Sequence, residues 1–495
     1  FGLARMPSAL QIRLGGVKGM ISLDTRLAAV PGEKEIAILH SRPSMAKFAS
    51  RDRRVEVCEV SRWLPGRLNK QVILLLLTRG VPAGAFLDLF ETETRRLLTA
   101  PHDAAYDRTS GGEGGSEVLT IVREVLAAGL YATPLAEPWC SSILHAMQRQ
   151  RIAELRSKCS LNVELSALLF GIMDERAVLS YGEVFVRRSD TGAVVEGDLF
   201  VVKMPCLQPG DVLRLRAVDR PELRAADLFD VLVFPQLGPR PHPNETSGGD
   251  LDGDKFLVCW DPRLLPPQPA PPADYRAPHA VVEGSVGQLA VDGPGWIWGA
   301  AAGSGIPLVD CGALAKWFVA YLSNQNLGRL SNAHMAWADQ SPLGANDWRC
   351  IKLAHLCSEA VDYQKSGVPA TFPDDLKPRG RPDFMDGDPL RAYPSNRVLG
   401  HIFRRAGELL AGKDSSQGAK RGGLDNQPTV DPRLLIEGFE SHLAEAMRLR
   451  EVYCVRLAIL LDSYGIESEA ELLAGRPRCR HAHVASHSRG QFDDS

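Results

Sequence analysis

The stretch Pro241-His242-Pro243-Asn244-Glu245-Thr246-Ser247-Gly248-Gly249-Asp250-Leu251-Asp252-Gly253-Asp254 decides how this chain is read. Three aspartates alternate over five residues, behind two glycines and ahead of the apolar run Phe256-Leu257-Val258-Cys259-Trp260. Extended chain points successive side chains to opposite sides, so alternation in a strand-like segment puts all three carboxylates on one face. Crowded carboxylates repel one another unless a cation neutralises them. Mg2+, with Mn2+ as the alternative, suits such a site, because it takes oxygen ligands and leaves positions for water and substrate phosphates. A nucleotidyl transferase needs this arrangement, with metal activating a ribose hydroxyl and shielding the pyrophosphate leaving group.

Three other readings stand beside that one. A calcium loop also opens Asp-x-Asp-x-Asp, but it requires glycine at its sixth position and glutamate at its twelfth. This chain has Lys255 and Asp261 there. An Asp-x-Asp phosphotransferase motif sits at the end of an apolar strand, whereas here the apolar run follows. A solvated acidic turn would suit Gly248, Gly249 and Gly253.

Composition narrows the class. A chain of 495 residues can bury a large core and should hold about two to four domains. Its 24% charged and 44% hydrophobic residues are those of a soluble globular protein. A formal net charge of −3 excludes a general polyanion binder, so any nucleic-acid path must be a local basic groove. Ten cysteines without a C-x-x-C pair or zinc spacing read as reduced thiols of cytosol or nucleus. The run Val72-Ile73-Leu74-Leu75-Leu76-Leu77 falls far short of the ~18 apolar residues that span a bilayer, so no membrane role is expected. The opening at Phe1, without methionine or a secretory signal, points to a piece of a longer intracellular protein.

Along the chain, residues 10–80 hold short alternating runs such as Leu10-Gln11-Ile12-Arg13-Leu14 and read as β-rich. A helix is expected around 86–98, then a Gly-rich loop at 110–115. Residues 116–165 read as mostly helical, with apolar spacing through Val118, Ile121, Val122, Val125 and Leu126. Strands return from 178 to 260 as Val184-Phe185-Val186, Leu199-Phe200-Val201-Val202 and Val231-Leu232-Val233-Phe234. Each is apolar throughout, as strands buried on both faces are. A Pro-rich connector covers 265–272, and the Gly-rich stretch 285–307 reads as an insertion. Helices are expected over 310–365, 395–412 and 433–474.

Several blocks resemble, in order, the catalytic region of the eukaryotic cellular RNA-dependent RNA polymerases, which make double-stranded RNA for gene silencing. They are Gln11-Ile12-Arg13-Leu14-Gly15-Gly16-Val17-Lys18-Gly19, Ser41-Arg42-Pro43-Ser44-Met45-Ala46-Lys47-Phe48, Met204-Pro205-Cys206-Leu207-Gln208-Pro209-Gly210-Asp211 and Phe234-Pro235-Gln236-Leu237-Gly238-Pro239-Arg240-Pro241-His242. The aspartate triplet, Leu327-Gly328-Arg329-Leu330-Ser331-Asn332-Ala333-His334, Ala360-Val361-Asp362-Tyr363-Gln364-Lys365-Ser366-Gly367-Val368-Pro369 and Tyr464-Gly465-Ile466-Glu467-Ser468-Glu469-Ala470-Glu471 complete the series.

The resemblance implies an α+β fold in which two double-psi β-barrels form a catalytic cleft, joined by helices and followed by a mainly helical C-terminal region. It divides the chain into a first, lysine-bearing barrel region at 1–110, a helical connector at 111–177 and a second barrel with the aspartate loop at 178–264. A Pro/Gly-rich linker and insertion at 265–309, helices at 310–475 and a divergent polar tail at 476–495 follow. Asp250, Asp252 and Asp254 are the implied catalytic metal ligands. Lys18 is the implied phosphate contact, its bland alternative being a solvated turn lysine between Gly16 and Gly19. Arg13, Arg42, Lys47, Arg240, His242 and Lys365 carry charge inside matched blocks and would hold nucleotide or RNA, although singly each also reads as a solvated or salt-bridged side chain. The cluster Arg51, Arg53, Arg54, Arg62, Arg67 and Lys70 reads as a basic footprint or, with Asp52, Glu56 and Glu59 interleaved, as a mixed solvated face. His334 reads as a packed structural histidine.

The implied function is synthesis of RNA from ribonucleoside triphosphates on a single-stranded RNA template. The product would be double-stranded RNA for gene silencing, with other silencing proteins as partners. A truncated, non-catalytic RNA-binding or scaffold relative is the alternative, and DNA-templated synthesis is a third reading.

Overall fold

The structure is a computed structural model. It describes residues 6–24, 41–47, 54–99, 138–275, 298–300, 307–309, 326–366, 369–385, 390–418, 436–466 and 468–473, with single positions at 39, 50, 52 and between 312 and 322. The expected loop at 110–115, the helical reading of 116–137, the tail from 476, and Arg51 and Arg53 lie outside the described residues.

The alternating run near the start forms a hairpin of β1 (Ala9–Leu14) and β2 (Val17–Ser22), with Arg13 directly opposite Lys18. β3 (Val55–Val60) pairs antiparallel with the other edge of β1. Of the first expected barrel, the described residues supply this three-stranded sheet. β4 (Leu64–Arg67) leaves it and joins the second β-rich region.

Strands that are apolar at every position need cover on both faces. The second region meets that demand by closing on itself. β5 (Asn162–Met173), β6 (Glu183–Val186), β7 (Gly197–Lys203), β8 (Leu213–Ala217), β9 (Val231–Phe234) and β10 (Lys255–Cys259) are its strands. They pair in the order β10-β7-β8-β6-β9-β5, and β10 also pairs with β5, which closes a six-stranded barrel. β5–β9 and β6–β8 are parallel and the other pairs antiparallel, in line with the double-psi barrel anticipated above. With 12 residues β5 is long enough to serve β4, β9 and β10 together. It begins at Asn162, ahead of the expected boundary at 178: its Leu- and Ala-rich sequence also reads as helix, and pairing with β4, β9 and β10 makes it a strand.

Alternate residues from all six strands meet in one cluster that includes Leu169, Val186, Val201, Leu215, Phe234 and Phe256. Only the inside of a closed barrel brings all six together. The intervening positions Phe170, Ile172, Phe185, Val231 and Val233 form a second cluster outside it with Ala9 and Met20 of the hairpin. Both sets are buried, which is why the sequence shows no alternation there. Each fully buried large apolar side chain contributes about 1.5–3 kcal/mol. Inside, Phe234 and Phe256 meet edge to face at 5.0 Å. Gly171 of β5 lies so close to Phe256 that a Cβ would come within 2.6 Å of the ring.

The run at 72–77 lies in the helix Lys70–Thr78, whose start is capped by Asn69 accepting from the Val72 N–H at 2.9 Å. Val72 to Leu76 are all buried, as befits a core helix. Among the described residues no helix is long and apolar enough to cross a membrane. The helices Leu327–Gln340 and Trp348–Ser366 pack together through Leu330, Ala333, Leu353 and Cys357, with Leu207 in the same cluster. His334 is buried there, which lowers its pKa to about 4 and makes it a packed, neutral residue. Within the expected insertion, Trp298–Ala300 and Pro307–Val309 pair as a small antiparallel ladder.

Two compact units result. Phe1–Leu87 with Ser160–Gly400 forms one, which holds all the described strands; Asp88–Cys159 with His401–Ser495 forms the other. The described part of the second is helical: Arg151 donates to Glu93, and Arg156 stacks over Phe403 at 4.3 Å. The helix Pro138–Lys158 and the chain from His401 onward thus share one discontinuous unit, while the helices Leu327–Gln340 and Trp348–Ser366 belong to the unit with the strands. Replacing Phe256 with alanine should destabilise the protein by about 3–5 kcal/mol, read as a lower midpoint in urea denaturation. An unchanged midpoint would mean that the barrel interior is not the core.

Candidate catalytic centre

The aspartates occupy the loop that enters β10, and they do not lie on an extended strand. The chain bends through residues 251–253. A strand would set Asp250 and Asp254 about 13 Å apart at Cα, yet one oxygen from each of the three carboxylates lies within 4.8 Å of the others. Strand alternation is therefore corrected to a curled loop. The N–H of Asp250 donates to Asp254 Oδ2 at 2.9 Å, and the N–H of Asp252 to Asp250 Oδ1 at 3.2 Å. Gly253 supplies the bend with φ +131°, a region that L side chains rarely adopt. A Cβ there would lie 2.0 Å from Nε2 of Gln11, which donates to the Asp252 carbonyl at 3.3 Å.

Two buried networks hold the approach to the loop. Asp211 is fully buried and accepts from the N–H groups of Leu207 and Gln208 and from Ser247 Oγ, each at 2.9 Å, and from the Tyr275 hydroxyl. Burial raises its pKa against those donors. In the second network the N–H of Gly182 donates to His242 Nε2 at 2.9 Å, so Nδ1 carries the proton that it shares with Glu245 Oε2 at 2.5 Å. Tyr181 donates to Glu245 Oε1 at 2.6 Å and stacks on the His242 ring at 4.2 Å. His242, expected as a nucleotide or RNA contact, is only 2% exposed and has both nitrogens engaged within the protein.

Two ammonium groups reach the carboxylates. Lys18 of β2 places Nζ 2.7 Å from Asp252 Oδ2, and Lys203, the last residue of β7, places Nζ 2.7 Å from Asp254 Oδ2. Burial and the neighbouring carboxylates of Asp252 and Asp254 raise the pKa of Asp250. Burial pushes Asp252 the same way, but the hydrogen bond and charge of Lys18, with Asp250 and Lys47, outweigh it and lower its pKa. Three convergent carboxylate oxygens, all hard donors, fit a divalent cation of the Mg2+ or Mn2+ kind.

Beside Lys18 opens a cavity of about 580 Å3 lined by Arg13, Lys47 and Arg54 together with Asp52 and Glu56. It gathers Arg13, Lys18 and Lys47 into one basic recess. The other expected contacts lie elsewhere or are engaged. Arg42 pairs with Glu175, and Arg240 donates to Asn244 Oδ1 at 2.8 Å. Lys365 lies near the end of its helix, and its side chain is outside the described residues. Of the 51–70 cluster, Arg54 pairs with Asp52 and Lys70 donates to the Phe384 carbonyl.

A family model described as RNA dependent RNA polymerase matches residues 1–406. The chain belongs to the RNA-dependent RNA polymerase family. It is 35% identical over 509 residues to Probable RNA-dependent RNA polymerase 2 of Oryza sativa subsp. japonica, covering 99% of this chain and 42% of that protein. Identity to RNA-dependent RNA polymerase 2 of Arabidopsis thaliana is 33% over 518 residues, covering 99% of this chain and 42% of the relative. With RNA-dependent RNA polymerase 1 of Schizosaccharomyces pombe it is 30% over 499 residues, covering 94% and 38%. The chain thus spans about two fifths of the length of these curated relatives. Its fold is similar to that of the RNA dependent RNA polymerase QDE-1 from Thielavia terrestris, with a TM-score of 0.62 at 23% identity, covering 94% of this chain and 55% of that one.

Lys203 and Gln11 are the site residues that sequence reading missed. Lys203 closes the apolar run 199–202 and directly precedes a matched block, which was the available signal; its nearness to the aspartate loop comes only from the β7–β10 pairing. Replacing Gly253 with alanine should cost about 1–3 kcal/mol through backbone strain and loss of the Gln11 contact. Adding Gln11→Ala should relieve the collision and leave the backbone part. Urea denaturation of the two variants checks this, and a Gly253→Ala protein as stable as wild type would contradict the curled loop.

Proposed function

We propose that this member of the RNA-dependent RNA polymerase family carries a catalytic centre for RNA-templated RNA synthesis, in which Asp250, Asp252 and Asp254 hold a divalent cation. The observation that carries the reading is the convergence of three carboxylates and Lys18 from parts of the chain more than two hundred residues apart. Phosphoryl transfer asks for positioning and charge neutralisation more than for covalent chemistry, and this site offers both. When bound, the cation supplies Lewis-acid activation of the 3′-hydroxyl and neutralises charge on the triphosphate. The chain's own groups do the rest. Lys18 is a compact point charge for nucleotide phosphates, and Arg13 and Lys47 extend the basic recess beside it. The curled loop fixes the carboxylates before substrate arrives.

Substrates are ribonucleoside triphosphates and single-stranded RNA, and the product is double-stranded RNA of the kind that RNA silencing consumes. A nuclear or cytoplasmic setting agrees with the eight described cysteines, all unbridged.

Asp252→Ala and Asp254→Ala should each lower nucleotide incorporation on single-stranded RNA by at least about 10²–10³-fold while the fold survives, since losing a carboxylate relieves repulsion. Lys18→Ala should lower incorporation more than it lowers RNA affinity across a salt titration. RNA binding without incorporation by the wild-type protein would favour the scaffold alternative. Either aspartate variant working at the wild-type rate would overturn the assignment.

A further inference from the structure

Lys203 has no part in the chemistry proposed above, yet its ammonium group lies 2.7 Å from Asp254 Oδ2. The fold delivers it there. β7 pairs antiparallel with β10, and in that register Lys203 stands opposite Phe256, two residues past Asp254. Its stem runs beneath the loop, where a Cβ on Gly249 would come within 2.9 Å of Lys203 Cδ. The ion pair is mostly covered, with 21% of the lysine and 22% of the aspartate side chain exposed. Lysine and aspartate here are therefore built into the barrel rim and are not a chance surface pair.

Asp254 Oδ2 serves two donors at once. The same oxygen accepts the N–H of Asp250, which curls the loop, and the ammonium of Lys203. A divalent cation seated among the three carboxylates has to share this carboxylate with a positive charge already in contact with it. Like charges in a partly covered site repel strongly, because screening by water is weak there.

We propose that Lys203 is a positioning residue that acts through Asp254 as a resident counter-charge: it pre-forms the aspartate loop and sets how tightly the loop takes a divalent cation. The inference rests on the metal-holding reading of the triplet. It differs from the role of Lys18, which faces the basic recess and is more exposed at 39%. Lys203 trades metal affinity for a loop that is ordered before metal binds. A site whose cation is bound less tightly also exchanges it more readily.

The test measures Mn2+ binding by electron paramagnetic resonance, together with thermal unfolding in EDTA, on the full chain. Lys203→Met keeps the stem and removes the charge; Lys203→Arg keeps the charge. Lys203→Met should bind Mn2+ at least tenfold more tightly than wild type and unfold at a lower temperature in EDTA, with Mn2+ restoring the difference. Lys203→Arg should stay within about threefold of wild-type Mn2+ affinity. Adding Asp254→Asn to Lys203→Met should recover thermal stability in EDTA, because the unpaired carboxylate is gone. A merely structural lysine would lower stability and metal affinity together. A folded Lys203→Met protein that binds Mn2+ no more tightly than wild type would overturn the inference and leave the metal-holding reading intact. Wild-type protein that binds no Mn2+ would instead overturn that reading, and this inference with it.

Discussion

Three carboxylates held within 4.8 Å of one another are the constraint around which the rest of the site is arranged. Left alone they would push the loop open, so the fold has to hold them from several sides. The loop's own N–H groups turn inward, Gly253 takes a backbone conformation closed to most residues, and Gln11 reaches across from the hairpin. Behind the loop, Asp211 and the His242–Glu245–Tyr181 group tie down residues 242–247 through buried and half-buried hydrogen bonds. Lys18 and Lys203 then supply positive charge.

The barrel makes such crowding tolerable. A closed six-stranded sheet has no edge through which the loop could relax, and β10 starts immediately after Asp254, with partners on both sides. The rim residues are spaced by register, not by flexible linkers. That is why Lys203 of β7 meets the short loop, while Lys18 reaches it from the separate hairpin sheet, whose Ala9 and Met20 pack in the cluster outside the barrel. Sites on rigid elements hold the positions that phosphoryl transfer needs.

Much of this was legible in the sequence, for identifiable reasons. The aspartate triplet stood out because its spacing and flanking glycines are local properties, and the apolar runs of β6, β7 and β9 announced strands buried on both faces; Lys18 was marked by the resemblance alone, since between two glycines it also reads as a solvated turn lysine. Other features depend on what surrounds a residue, which sequence does not print. His242 was read as a charged contact, yet the fold buries it against Glu245. Lys203 looked like an ordinary strand end until the β7–β10 register placed it beside Asp254. The beginning of β5 was hidden because Leu and Ala serve helix and strand alike, and tertiary pairing decided between them. The discontinuous helical unit joins segments that no local pattern links.

The most direct test of the account is to replace the divalent cation with Fe2+ and map where hydroxyl radicals cut the chain. Cuts should fall at residues 250–254, around Lys18 on β2 and at the end of β7 near Lys203, and excess Mg2+ should suppress all three together. Cutting elsewhere, or cuts at the aspartate loop without those at the two lysines, would contradict a single metal-holding centre built from these three elements.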